Sequence, residues 1–164
     1  HVAVRSFAGR GFVCLFDPRL VRLGESPTLE EYLAARHVVV SYNGDLAGIV
    51  EDVLGRSGVR RDVALSLARF ASIPAVLASA PLVATVPRAF AERLAREHGL
   101  GVARLPLALP DYAVQMAWHR ANDADPGLAW LRERVAGLLP VTSASRAPDS
   151  AKKRRDAPIR RSWR

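Results

Sequence analysis

The residues best equipped for chemistry in this chain are four histidines and one cysteine, and none stands at a spacing that chemistry uses. His1, His37, His98 and His119 are isolated from one another, and Cys14 is the lone thiol. A zinc-type centre needs several Cys or His ligands at short intervals. No Gly-x-Ser-x-Gly turn presents a serine, no Gly-x-x-x-x-Gly-Lys-Ser/Thr loop wraps a phosphate, and no His-Glu-x-x-His pair is present. Gly9-Arg10-Gly11 is a fragment of a dinucleotide fingerprint, but it precedes a strand-like run instead of following one. Asp111, Asp123 and Asp125 suit turns and caps better than a catalytic dyad. The pattern argues against an enzyme and calls for no cofactor or metal.

The remaining reactive types have plain structural roles. Cys14 lies within the apolar run Phe12-Val13-Cys14-Leu15-Phe16, the context of a small buried core residue rather than a reactive thiol. A single cysteine forms no internal disulfide, so nothing indicates an oxidising compartment. His98 falls in the last turn of an expected helix, where a partly positive imidazole suits the dipole.

Charge is unevenly spread. The formal net charge is +8, yet residues 141–164 hold eight Lys/Arg against Asp149 and Asp156, leaving the other 140 residues at +2. Those last residues have no apolar period and are expected to be a disordered basic tail. Lys152-Lys153-Arg154-Arg155 can touch phosphates, although a solvated tail is the simpler reading. The body shows no helix-turn-helix with a basic second helix. No apolar stretch reaches the length of about 18 residues that a membrane span needs. The N-terminus lacks the layout of a signal peptide, so a cytoplasmic location is expected, and with His1 in the place of an initiator methionine the chain is expected to be a processed, truncated or partial product.

The elements that must position any site alternate regularly. Phe12–Phe16 reads as a buried strand stopped by Asp17-Pro18. Thr28 and Glu31 have capping-box spacing and open a short helix to about Ala35. His37–Tyr42 reads as a strand, and Leu46, Ile49, Val50, Val53 and Leu54 as the face of a helix stopped by Gly58. Val63–Leu67 is the next strand, and Ser72 caps a helix with Pro74 in its first turn. Leu82–Val86 is a strand, and Pro87 opens a helix ended by Gly99. Strands follow near 102–105 and 112–118. Asp125-Pro126 starts a last helix with Leu128, Leu131, Val135 and Leu138 on its apolar face. Alternation of this kind indicates an α/β fold with a largely parallel sheet.

Several of these segments, taken in order, carry a family likeness. Gly11-Phe12-Val13-Cys14-Leu15 is followed by Pro18-Arg19-Leu20, Thr28-Leu29-Glu30-Glu31-Tyr32 and His37-Val38-Val39-Val40. Gly58-Val59-Arg60-Arg61-Asp62-Val63, Leu82–Pro87, Gly99-Leu100, Pro110, Met116–His119 and Trp130-Leu131-Arg132 complete the series. From about Gly11 to Leu138 the chain resembles the ligand-sensing domain of LysR-type transcription regulators, in the branch of nodulation and aromatic-acid-responsive regulators. Asp17, where that family commonly has a histidine before the proline, and the basic tail depart from the pattern.

The resemblance implies two periplasmic-binding-protein-like α/β lobes with a small-molecule effector between them. It implies that residues 1–10 are the end of the first lobe and hinge, and 11–112 the second lobe, with a mixed, largely parallel sheet flanked by helices. Residues 113–140 would be the strand and helix returning to an incomplete first lobe, and 141–164 lie beyond the pattern. DNA contact would belong to an N-terminal domain absent from this chain, and the full-length protein would be a homo-oligomer. A free-standing small-solute-binding protein of the same fold is the alternative.

In such a sensor the ligand lies at strand ends and helix N-termini. Phe70, Ala71, Ser72 and Ile73 occupy one such turn, where Ser72 is either a cap or a ligand contact and Phe70 either core or a cover for an aromatic ring. His37 can hydrogen-bond an anionic or phenolic effector or be a satisfied structural histidine. Trp118 and His119 end the returning strand, where Trp118 either packs between lobes or stacks on ligand.

Overall fold

The computed structural model describes residues 1–9, 11–110 and 112–138, so the expected tail lies outside the described residues. In chain order the elements are β1 (Val2–Ala8), β2 (Phe12–Phe16), α1 (Leu29–Ala34), β3 (Arg36–Val40), α2 (Ile49–Arg56) and β4 (Asp62–Leu67). A 3-10 turn at Phe70–Ser72 leads into α3 (Ile73–Ser79), followed by β5 (Leu82–Pro87), α4 (Arg88–His98), β6 (Gly101–Arg104) and β7 (Ala113–His119). A second 3-10 turn at Arg120–Asn122 precedes α5 (Pro126–Leu138). The chain divides into two compact units, Gly9–Tyr112 and a second built from His1–Ala8 with the chain from Ala113 onward.

The larger unit is a five-stranded sheet in the order β4-β3-β5-β2-β6. β3 runs parallel to β4 and β5, and β2 runs antiparallel to both β5 and β6. Four of the five strands therefore share one direction, and the sheet is mixed because of β2 alone. Strand alternation decides which side chains face which layer. Val13, Leu15, Val38, Ala84 and Val86 pack with Ile73 and Leu77 of α3 and Ala91 and Leu94 of α4. Cys14, Phe16, Val83 and Ala103 pack with Tyr32 of α1 and Val50 and Leu54 of α2. The sheet thus has helices on both faces, as its near-continuous apolar strands require.

Local signals set most of the ends. The Thr28 hydroxyl accepts the Glu31 N–H at 3.1 Å while the Glu31 carboxylate accepts the Thr28 N–H at 2.7 Å, so α1 begins with a complete capping box. Gly99 closes α4 at φ 68°, with its N–H on the Ala95 carbonyl at 2.9 Å. The Asp125 carboxylate accepts the Leu128 N–H at 2.8 Å and starts α5.

Three expectations need correction. α2 begins at Ile49, so Leu46 lies in the preceding loop and is 53% exposed. The expected apolar face of α5 is open: Leu128, Leu131, Val135 and Leu138 are all exposed, and only Ala136 of this helix is buried. Ser72 does not cap α3 through its hydroxyl. The 3-10 turn has already drawn Ser72 into helical conformation, at φ −83° and ψ −12°, whereas a capping residue needs extended geometry. The smaller unit adds a strand that the sequence did not announce, β1, which pairs antiparallel with β7 from Val2–His119 to Ala8–Ala113.

The larger unit starts and ends at one point. The Gly9 N–H donates to the Tyr112 carbonyl at 2.9 Å, and the Tyr112 ring packs against Phe12 at 5.1 Å between centroids. A Cβ on residue 9 would lie 2.3 Å from that tyrosine ring, so glycine is required.

Two glycines should respond to alanine with opposite signs. A Cβ at Gly101 would approach the Phe16 ring to 2.8 Å, and Phe16 is only 5% exposed. Gly101→Ala should therefore destabilise by about 1–3 kcal/mol. Gly55 lies inside α2 with nothing near its missing Cβ, so Gly55→Ala should stabilise by about 0.5–1 kcal/mol. Urea unfolding of both variants checks this, and the same sign for both would contradict it.

Candidate functional site

Strand direction decides where a ligand can meet this unit. β3, β4, β5 and β6 all end on one edge, and β2 begins there, with Val40 beside Leu67, Pro87 beside Phe12 and Arg104 beside Val13. The turns that follow parallel strands project from such an edge, which is where α/β folds commonly bind small molecules. The Phe70–Ser72 turn follows β4 there. Phe70 is half-buried with its ring edge-on to Phe90, the centroids 5.0 Å apart. Ala71 and Ser72 are exposed, and Ile73 is buried in the core beneath them. The turn therefore offers an aromatic flank, a free hydroxyl and a small residue. Its backbone is partly committed: the Ser72 N–H donates to the Arg69 carbonyl at 3.2 Å, and the Ile73 N–H donates to Phe70.

The neighbouring loop brings in a residue that the sequence reasoning missed. β3 leads into residues 41–48, whose first N–H, from Ser41, donates to the Leu67 carbonyl at 2.9 Å. Tyr42 follows directly and is 83% exposed. An aromatic one step past a strand end and just before Asn43-Gly44 was the available signal.

His37 does not join this group. It pairs with Val63 and Val83 near the start of the parallel strands. About 13 Å of strand separates that position from the end of β4. There His37 is fully buried beside Tyr32, with ring centroids 4.5 Å apart. Its Nε2 lies 2.8 Å from the Tyr32 carbonyl, which can only accept, so Nε2 carries the proton. Nδ1 is left as the acceptor facing Arg61 Nη1 at 3.4 Å.

Arg61 is the centre of this buried cluster. Its side chain is only 2% exposed. Nε donates to Glu51 Oε1 at 2.6 Å, and Nη1 donates to Tyr32 Oη at 2.6 Å and to Thr85 Oγ1 at 3.2 Å. Tyr32 and Thr85 also share a hydrogen bond of 2.8 Å. Burial, and then the Arg61 charge, push the His37 pKa down to about 4. Burial outweighs that cation for the Tyr32 phenol and the Cys14 thiol, both pushed up to about 12. The cluster thus holds one cation, one carboxylate and three neutral titratable groups at neutral pH. At the same end of the sheet, Arg19 holds the Asp17 carboxyl down to about 2 through hydrogen bonds to its side chain and backbone.

Trp118 and His119 lie in the smaller unit. The Trp118 Nε1–H donates to Asp123 at 2.6 Å, and Arg132 stacks over its ring at 5.0 Å. His119 Nδ1 accepts the Ala121 N–H at 3.2 Å. Both line an open, mainly apolar groove with Met116, Leu128, Leu131 and Val135. Among the described residues, no group of three or more His, Cys, Asp or Glu could hold a metal ion. Nor is any described helix long and apolar enough to cross a membrane.

The sequence pattern of the LysR substrate binding domain matches residues 2–139. The HTH-type transcriptional activator NagR of Ralstonia sp is 34% identical over 128 residues, covering 78% of this chain and 42% of that protein. Nodulation protein D 1 of Mesorhizobium japonicum is 31% identical over 149 residues, covering 85% of this chain and 46% of that protein. This chain thus spans less than half the length of these relatives. Among solved structures, the regulatory domain of MexT, a transcriptional activator in Pseudomonas aeruginosa, matches with a TM-score of 0.70 and 30% identity, over 84% of this chain and 66% of that one.

The neutral state of His37 gives stability a definite pH dependence. The unfolded chain takes up this proton near the ordinary value of 6.5, while the folded state excludes it until about 4. The contribution is therefore complete above pH 6.5 and is lost as pH falls toward 4, by an amount on the order of 3 kcal/mol. Thermal midpoints of the parent should fall more steeply than those of His37→Gln between these limits. Parallel profiles would show that His37 titrates normally in the folded state.

Proposed function

This chain belongs to the LysR substrate binding domain family, and from that premise we propose that it is the effector-sensing part of a LysR-type transcription regulator. The match along residues 2–139 carries this conclusion. We assign Gly9–Tyr112 as the second lobe of the sensing domain, and residues 1–8 with 113–138 as segments of the first. DNA contact is assigned to an N-terminal domain outside this chain, and the regulator is taken to work in the cytoplasm without catalysing a reaction.

The effector is placed at the strand-end edge of the larger unit. Phe70 and Tyr42 supply aromatic surface suited to a planar apolar group. Ser72 supplies a hydroxyl that makes no cap bond and can donate to a carboxylate. Ala71 leaves room between them, and Ile73 supports the turn from below. A small aromatic acid fits this combination best. His37 is assigned a supporting role within the sheet, because its ring is fully buried and both its nitrogens face internal partners. Trp118 and His119 are left outside the effector contact set, since their polar atoms serve Asp123 and Ala121.

Titrations of the full-length regulator with benzoate and benzamide test the placement. Phe70→Ala should weaken both probes by about tenfold, by removing apolar contact. Ser72→Ala should weaken benzoate roughly tenfold more than benzamide, because only the acid accepts a charge-assisted bond. Its thermal midpoint should stay within a degree or so of the parent, since no cap bond is lost. Equal losses for both probes on changing Ser72 would remove it from the site. Failure of benzoate to bind the parent would overturn the assignment of an aromatic-acid effector.

Self-association is also expected of the 164-residue chain itself, because α5 is assigned to a first lobe of which this chain holds only segments. Trp130, Leu131 and Leu138 of α5 are 65%, 49% and 85% exposed, more apolar surface than one short helix ordinarily leaves open. Sedimentation equilibrium should show a dimer or larger species, and a monomer at micromolar concentration would contradict it.

A further inference from the structure

The buried cluster and the effector edge stand at opposite ends of the sheet, yet one carboxylate reaches toward both. Glu51 lies in the first turn of α2. Its Oε1 accepts Arg61 Nε at 2.6 Å, and its Oε2 accepts the Gly48 N–H at 2.8 Å. Gly48 is the last residue of the loop that carries Tyr42. The other end of that loop is also fixed, since the Ser41 N–H donates to Leu67, the last residue of β4. Arg61 immediately precedes the first residue of β4. Both ends of the 41–48 loop are therefore tied to one strand: its entry directly to the strand's end, its exit through Glu51 to the arginine just before the strand's start.

We propose that Arg61 is a positioning residue for the effector edge, which acts through Glu51 to fix the exit of the 41–48 loop and so the placement of Tyr42. This rests on the reading that the effector binds at that edge.

The chemistry of the cluster favours such a role. A guanidinium buried with one carboxylate and three neutral partners is costly, and an apolar side chain of similar volume would often be as stable or more so. A buried fork with directional bonds to α1, β3, α2 and β5 does what an apolar residue cannot: it fixes orientation. The Arg61 Nε–H and the Gly48 N–H each take one of the two carboxylate oxygens. A glutamine at 51 has a single acceptor oxygen, so one of the two bonds must be lost.

Amide hydrogen exchange of the complete 164-residue chain, read by mass spectrometry, tests the idea without a ligand. In Arg61→Lys and in the milder Glu51→Gln, exchange in peptides covering 41–48 should rise at least tenfold, while peptides covering β6, which makes no bond to Arg61, keep parental protection. A uniform rise across both regions would mean that Arg61 merely stabilises the fold, and would overturn the proposal, as would unchanged exchange at 41–48 in Glu51→Gln. Should Arg61→Lys fail to fold, Glu51→Gln alone decides, because Glu51 is partly exposed and the replacement is isosteric. A benzoate titration of the full-length regulator in parallel separates the two claims. Loosening of the loop with no benzoate binding would sustain the positioning role and count against the effector assignment. Benzoate binding with an unmoved loop would do the reverse.

Discussion

A single buried cation organises one face of the larger unit. Arg61 has almost no solvent contact, so its Nε and Nη1 groups turn to acceptors inside the protein. Those acceptors come from α1, β3, α2 and β5. The requirement runs outward from there. Tyr32 must point its hydroxyl inward, Thr85 must lie on the inner face of β5, and His37 must remain neutral. The opposite face of the sheet carries no such constraint. There Val13, Leu15, Val38, Ala84 and Val86 meet α3 and α4 through apolar contact alone. One face therefore tolerates repacking at roughly constant volume, and the other is fixed by a hydrogen-bond pattern in which each member depends on the rest.

With the effector at the strand-end edge, as proposed, this asymmetry separates support from recognition. The polar cluster sits near the starts of the parallel strands, with His37 and the Arg61 side chain almost wholly buried. The exposed Tyr42 and the Phe70–Ser72 turn sit where those strands end. A domain that senses small molecules needs a rigid frame and an accessible rim, and here the two are built from different residues. His37 and Phe70 illustrate the division. Both looked able to meet a ligand, and the parallel register places them at opposite ends of the same pair of strands.

Much of this was legible from the chain. The larger unit's strands and helices followed from apolar runs and local caps, because each signal acts within a few residues. The capping box at Thr28, the left-handed Gly99 and the Asp125 start of α5 all depend on neighbours in sequence. What escaped depends on distant partners. β1 has charged and small residues between Val2, Val4 and Phe7, and it becomes a strand because β7 lies alongside it. Nothing local in Arg60-Arg61-Asp62 reveals that Arg61 is buried while Asp62 pairs with Arg36 at the surface. The apolar period along α5 was real, but periodicity cannot say whether a partner surface is present. Ser72 had the residue type of a cap, and the 3-10 turn before it altered its backbone. The turn at Phe70–Ile73 was legible as a position in the fold; the exposure of Tyr42 beside it was not.

The meeting of Gly9 and Tyr112 bears on how the rest of the chain can fold. For β1 and β7, everything between those two residues is a connecting loop. Closing an unstructured loop of that length would cost about 4 kcal/mol in chain entropy, a heavy load on one pair of seven-residue strands. Once the larger unit has folded, its two ends are held one hydrogen bond apart. β1 and β7 then need only continue a pairing that has already begun. The dependence runs one way. The five-stranded sheet includes neither β1 nor β7, so the meeting of Gly9 and Tyr112 does not call on them. The larger unit thus holds together two points of the chain about a hundred residues apart, which an unfolded segment of that length would rarely do.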